Sequence, residues 1–212
     1  MVATDNQKHI KVNETGPTVS QLEVDNLIQS VKDQLKKGDW WVLGGSIPNG
    51  VDPSIYAKLI KLIEQAGAFS ILDTSGEALR LGCDANPTLA KPNLEEAQEL
   101  LNLTDDQVKN PSNCFNQNKH KGPKNLVVSL GKEGALLIAD QKCIKEASAT
   151  IIEKNPTGAG DSMVAGLVYK LSNKQSLQQA LQFGLACGAA TASKAGTDLG
   201  SLEEVNILLA QL

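Results

Sequence analysis

The sequence predicts an α/β protein built on a doubly wound, mainly parallel sheet. Short apolar strands alternate with helical patterns at βα spacing through the first half of the chain. The segments rich in Gly, Asn, Ser and Asp mostly follow those strands, where ligands bind in such sheets. A third observation is the turn Asn155-Pro-Thr-Gly158-Ala-Gly160-Asp161, which leads into a segment of small and apolar residues and so reads as a glycine turn opening a helix. With 212 residues, 41% of them hydrophobic, the chain can bury one sizeable core. Its net charge of −4, with the signs interspersed, argues against a nucleic-acid or membrane surface, and 3% aromatics argue against base-stacking platforms. The opening residues lack the apolar stretch of a signal peptide, and no run reaches membrane-spanning length, so a cytoplasmic location is expected. Cys83, Cys114, Cys143 and Cys187 lie far apart without C-x-x-C spacing, which points to reduced thiols. His9 and His120 sit in polar surroundings and receive no role.

The elements follow in order. Residues 8–13 read as an edge strand. Ser20-Gln-Leu-Glu23 forms a capping box for a helix whose apolar face runs through Leu27, Ile28, Val31 and Leu35 to Gly38. Residues 40–43 are a strand ending at Gly44-Gly-Ser46. A second helix starts at Asp52-Pro53, buries Leu59, Ile60 and Ile63, and stops at Gly67. Residues 69–72 form the next strand, followed by Asp73-Thr-Ser-Gly76 and a short helix to Leu81. Residues 88–91 feed Pro92-Asn93 and another helix. Residues 105–125, rich in Asn with little apolar periodicity, predict an irregular crossover. Strands at 126–129 and 135–139 flank a glycine-containing loop, as in a hairpin. Further strands are expected at 142–145 and 149–153. Ser176 caps a long Ala/Gly-rich helix, in which Cys187 reads as a small core residue, and Ser201-Leu-Glu-Glu204 caps the last.

The chemistry concentrates at the central turn. Gly158 and Gly160 let bare amides approach an anion, and the following helix adds its unpaired N–H groups and positive dipole end. Asp161 is the one ionisable group within the turn. Peptide donors with one carboxylate suit phosphoryl transfer to a hydroxyl, although a plain helix cap with a first-turn Asp fits the same residues. Asp73 fits both a group holding metal or substrate and an ordinary Asx turn. Asn93 and Glu96 have the spacing of a capping box. No Gly-x-x-x-x-Gly-Lys-Ser/Thr occurs, nor a Gly-x-Gly-x-x-Gly after the first strand, which sets aside a P-loop enzyme and a Rossmann dinucleotide site.

Gly158-Ala-Gly-Asp-Ser-Met-Val-Ala-Gly166 closely resembles the C-terminal signature of the PfkB (ribokinase-like) carbohydrate kinases, and within them the 1-phosphofructokinase and tagatose-6-phosphate kinase branch. Gly45-Ser-Ile-Pro-Asn-Gly50, Leu72-Asp-Thr-Ser-Gly-Glu-Ala-Leu79, Lys91-Pro-Asn-Leu-Glu-Glu96 and Val128-Ser-Leu-Gly-Lys-Glu-Gly-Ala135 match in the family's order. The resemblance implies a three-layer α/β/α fold and an ATP- and Mg²⁺-dependent kinase for a ketohexose phosphate. Fructose 1-phosphate comes first as substrate, with fructose 6-phosphate and tagatose 6-phosphate as alternatives. It makes Asp161 the catalytic base and Gly158, Ala159 and Gly160 the anion hole. Lys91 would lie near the transferring phosphate, and Asn93 and Glu96 would organise Mg²⁺ through waters. Ser129, Leu130, Gly131, Lys132, Glu133 and Gly134 would cover the nucleotide, Gly196 would border the adenine, and Ser46 with Asp161 would meet the sugar. Residues 1–18 would be a remnant of the β lid and 19–212 the nucleotide-binding core of one kinase domain. The family's N-terminal strands and most of its lid have no counterpart here, and Arg80, the one arginine, matches none of their basic sugar contacts. A weakly active nucleotide-binding fragment is therefore the rival expectation, with a homodimer or pairing with an N-terminal segment as the expected partner.

Overall fold

A computed structural model describes residues 2–3, 9–10, 16–101, 122–140 and 142–212. Strands β1 (Val2–Ala3) and β2 (His9–Ile10) form a separate antiparallel pair. Six strands make the main sheet: β3 (Trp40–Gly44), β4 (Phe69–Asp73), β5 (Leu89–Ala90), β6 (Asn125–Ser129), β7 (Ala135–Ala139) and β8 (Lys142–Glu146), in that spatial order. The first three pairings are parallel and the last two antiparallel. Helix α1 (Gln21–Gln34) precedes β3, and α2 (Ile55–Gln65), α3 (Gly76–Asp84) and α4 (Leu94–Leu101) lie in the crossovers between the parallel strands. Helices α5 (Ala159–Ser172), α6 (Leu177–Ala192) and α7 (Leu202–Leu209) close the chain.

Strand alternation divides the core into two layers. Leu43, Leu72, Ala90, Val128 and Leu136 face one way and pack with Val24 and Val31 of α1 and Ile60 and Ile63 of α2. Ile71, Leu89, Val127 and Leu137 face the other way, onto Met163 and Leu167 of α5 and Leu181 of α6. Each fully buried Ile or Leu contributes about 1.5–3 kcal/mol of transfer free energy. The result is the expected three-layer α/β/α arrangement with a mainly parallel sheet.

At the N-terminal ends of the strands, Glu64 accepts from Ser70 Oγ at 2.8 Å, Thr88 Oγ1 at 2.6 Å and Lys124 Nζ at 2.6 Å. Burial alone would raise this carboxyl, but the bonds from Lys124, Thr88 and Ser70 outweigh it and hold it below its usual range. The group staples α2, β4, β5 and the approach to β6 on the side away from the strand C-termini.

Several expectations need correction. Helix α2 begins at Ile55 rather than Pro53, because the Asp52 carboxylate accepts the Ser54 N–H at 2.7 Å and holds a turn first. Leu27 is 50% exposed: α1 packs through the narrow stripe of Val24, Ile28, Val31 and Leu35, and position 27 lies about 70° off its centre. Helix α3 runs to Asp84, past Leu81. Residues 149–153 form no strand. Instead the amides of Lys154 and Asn155 donate to Ala192 O at 2.9 and 3.1 Å, and Thr150 N donates to Gln211 Oε1 at 3.2 Å. Of the strand expected over 8–13, His9–Ile10 is described, and most of the crossover over 105–125 lies outside the described residues.

Among the described residues, β3 pairs only with β4, leaving its other edge open. Val42 and Phe69 are 49% and 39% exposed there, and Trp40 stacks on Phe69 with ring centroids 4.8 Å apart. No described helix is long and apolar enough to cross a membrane.

Candidate active site

Helix α5 starts without a side-chain cap. Its N-cap is Gly158, in the left-handed region at φ +80°, where an L side chain is strained. Asn155 shapes the approach: its Oδ1 accepts Thr157 N–H at 3.0 Å and its Nδ2 donates to Gly196 O. Ala159 N donates to Pro156 O at 3.1 Å, so this amide of the expected anion hole is engaged within the chain. The α5 start is held close to α6, since a Cβ on Gly188 would lie 3.0 Å from Ala159 O. Asp161 is exposed in the first turn.

Lys91, at the end of β5, is 6% exposed. Its Nζ lies 3.0 Å from Asp73 Oδ1 at the end of β4, so the buried ammonium has a carboxylate partner. A Cβ on Gly160 would sit 3.5 Å from the same Nζ, which places Lys91 against the α5 start. Neighbouring parallel strands thus bring Asp73 and Lys91 together.

Asn93 and Glu96 make the capping box of α4: Glu96 N–H donates to Asn93 Oδ1 at 2.9 Å and Asn93 N–H to Glu96 Oε2 at 2.8 Å. Ser129 N–H donates to Pro92 O at 3.0 Å, so this helix start adjoins the loop over 129–134. That loop folds as a short 3₁₀ turn over Gly131–Glu133 and closes with Leu130 N–H on Gly134 O at 2.9 Å. Gly134 has φ +98°, and a Cβ on it would come 1.9 Å from Glu146 O; only glycine lets the loop seat on the end of β8.

Between this loop and the α5/α6 pair lies a cavity of about 480 Å³, within the range of small-molecule sites. Ser129, Gly131, Lys132 and Gly134 line one side, and Ala159, Gly160 and Met163 another. The remaining wall comes from residues 148–151 and Glu153 and from Leu185, Gly188, Ala189 and Ala192. Leu130, Glu133 and Gly196 do not line it; Glu133 pairs with Lys145 at 3.4 Å. Sequence reasoning missed the 148–153 wall and the α6 face. The run of Ala and Gly over 184–192 was the available signal, since its small residues let α5 approach α6 closely at the cavity wall.

On the other side of Lys91, Tyr56 Oη donates to Gly44 O at 2.7 Å and Gly45 O at 3.1 Å, and Thr74 Oγ1 donates to Gly45 O at 2.7 Å. Burial pushes the Tyr56 hydroxyl up from its ordinary value. Gly45 N–H donates to Asp73 O at 3.0 Å, so the turn bearing exposed Ser46 is tied to the Asp73 segment. The side-chain oxygens of Asn93 and Glu96 are of the kind that suits a hard cation keeping most of its waters, and Glu96 spends only Oε2 in the box, whereas Asp73 Oδ1 is paired with Lys91. Among the described residues no cluster of three or more His, Cys, Asp or Glu could hold a metal by itself.

Proteins of known sequence and structure resemble this chain over nearly its whole length. The 1-phosphofructokinase of Borreliella burgdorferi is 31% identical over 208 residues, covering 98% of this chain and 66% of the relative. The tagatose-6-phosphate kinase of Staphylococcus epidermidis is 33% identical over 183 residues, covering 82% of this chain and 59% of the relative. The crystal structure of phosphofructokinase-2 from Escherichia coli in complex with potassium superposes with a TM-score of 0.86 at 31% identity, over 97% of this chain and 67% of that one. The chain thus spans less than two thirds of the length of these curated relatives. The profile of the pfkB family carbohydrate kinases matches residues 1–204, and the chain belongs to that family.

Proposed function

We propose that this chain carries the nucleotide site and transfer groups of a kinase that phosphorylates a ketohexose phosphate, with fructose 1-phosphate as substrate. The observation that carries the reading is the uncapped, glycine-led start of α5 set against buried Lys91. In this reading Asp161 takes the proton from the C6 hydroxyl of the sugar, and that oxygen attacks the γ-phosphorus of ATP. The bond from the γ-phosphorus to the bridging oxygen breaks and ADP leaves. The start of α5 and Lys91 hold the developing phosphate charge, the Ala159 amide after exchanging Pro156 for the ligand. Asp73 pairs with Lys91 and aims it, Ser46 meets the sugar, and the 129–134 loop excludes water from the nucleotide. Asn93 and Glu96 would hold Mg²⁺ through waters, the ion neutralising charge between the β- and γ-phosphates. Residues 19–212 form the nucleotide-binding core, with 1–18 as lid.

A second reading, a nucleotide-binding unit that turns over poorly by itself, is favoured by the β3 edge left open among the described residues. Coupled ADP release with fructose 1-phosphate, fructose 6-phosphate and tagatose 6-phosphate decides between them, alongside calorimetric titration with Mg-ATP. Saturable turnover with fructose 1-phosphate as the best substrate supports the first reading. Mg-ATP binding without turnover supports the second, and neither binding nor turnover removes both. Light scattering on the same sample reads the expected homodimer.

A further inference from the structure

Thr191 lies near the end of α6, 3% exposed, among residues that line the cavity. Its Oγ1 is 2.8 Å from Ser162 Oγ in the first turns of α5, and it also accepts the Gly200 N–H at 3.3 Å. Its methyl group reaches the turn as well: a Cβ on Gly158 would lie 3.8 Å from Thr191 Cγ2. Ser162 N–H donates to Gly158 O at 2.9 Å, so what holds Ser162 also holds the left-handed turn. On the far side, Gly200 is pressed onto α6, where a Cβ would come 2.3 Å from Ala190 Cβ. One hydroxyl, which can donate once and accept twice, therefore bridges the α5 start and the 196–200 loop.

A buried threonine needs partners for its hydroxyl in any core, and that need alone explains one bond. It does not explain why the same hydroxyl ties the α5 start, which lines the cavity, to the 196–200 loop beyond it. The neighbouring residue repeats the pattern, since Ala192 O takes the amides of Lys154 and Asn155, which end the cavity's 148–153 wall. The end of α6 thus gathers three segments, two of which line the cavity.

We propose that Thr191 is a positioning residue for the nucleotide: through Ser162 and Gly200 it sets the α5 start, and with it Asp161, relative to the 196–200 loop. This rests on the nucleotide reading above. Loss of the hydroxyl then loosens both segments together and weakens nucleotide binding at the α5 start.

Thr191→Val keeps the shape and removes the hydroxyl, whereas Thr191→Ser keeps the hydroxyl. Each is compared with the parent 212-residue chain by calorimetric titration with Mg-ATP and by amide hydrogen exchange. Thr191→Val should raise the Kd about tenfold, the share of one to two net hydrogen bonds, and Thr191→Ser should restore it to within about twofold. Exchange should speed up in 158–164 and 196–202 together and stay unchanged in the 125–139 hairpin. An unaltered Kd with Val, failure of Ser to rescue, loosening of one segment alone, or acceleration throughout the chain overturns the proposal. If the parent binds no Mg-ATP, the nucleotide reading fails separately and the exchange pattern alone decides the linkage.

Discussion

Helices α4 and α5 both begin beside the site, yet they begin differently. Helix α4 caps itself: Asn93 and Glu96 exchange bonds with each other's backbone at 2.8 and 2.9 Å. Helix α5 has a left-handed glycine at its N-cap and no side-chain cap. A helix start leaves about four N–H groups without intrahelical partners, and each must find side chain, water or ligand. The α4 start uses its own side chains and gains about 1 kcal/mol from the cap. The α5 start forgoes that gain and keeps its dipole end open beside Lys91. Self-capping satisfies a helix start from within; an uncapped glycine start leaves donors for water or a ligand, as the uncapped α2 and α3 starts also do. The predictions test whether that contrast corresponds to function.

The largest effect is expected at Asp161. If Asp161 is the proton acceptor of the proposed reaction, its replacement by Asn should lower turnover in the coupled ADP-release assay by about two to four orders of magnitude. Mg-ATP affinity by calorimetry should stay within about twofold, because the proposed phosphate contacts are backbone amides and Lys91 rather than this carboxylate. Turnover within a few-fold of the parent would make α5 an ordinary helix start and dissolve the comparison.

A smaller effect is expected at Gly158. A Cβ there has room, its nearest neighbour being Thr191 Cγ2 at 3.8 Å, so Gly158→Ala tests backbone conformation rather than space. At φ +80° alanine should cost about 1–2 kcal/mol. That corresponds to roughly 2–8 °C in Tm for a chain of this size, measured calorimetrically without ligand. Mg-ATP should then stabilise the variant less than the parent. An unchanged Tm would mean the turn relaxes out of the left-handed region.

The two helix starts differed in how legible they were. The box at Asn93 and Glu96 is local, so spacing alone exposed it, as it did at Ser20, Ser176 and Ser201. The left-handed glycine turn was equally local. Lys91 and Asp73 were each visible as residues, but their pairing depends on β4 and β5 being parallel neighbours, which no short window encodes. Residues 149–153 misled for a related reason. β-Branched side chains suit an extended backbone wherever its hydrogen bonds go, and here they go to the end of α6 and to Gln211. Thr191 was hidden among alanines whose composition reads as core packing. Local caps and turns are written in sequence; which segments meet at the cavity is decided by topology.

The smallest effect separates the two roles available to the α4 start. Gln can serve the box as well as Glu, since its side-chain oxygen also accepts the Asn93 N–H, so Glu96→Gln should leave Tm within about 1 °C. A hydrated Mg²⁺ responds differently. The amide lacks the negative charge that attracts the cation and orders its waters, and carboxylate is the preferred ligand of this hard ion. If Glu96 also serves the metal, the Mg²⁺ concentration for half-maximal Mg-ATP binding or turnover should rise about three- to tenfold, a loss of roughly one charge-assisted hydrogen bond. Titrating Mg²⁺ at fixed ATP on parent and variant reads this directly. A rise with constant Tm shows that one side chain caps the helix and serves the ion at once, so that self-capping no longer implies a start without a ligand. An unmoved Mg²⁺ curve leaves α4 capped and nothing more, and assigns the site's ligand-seeking helix start to α5 alone.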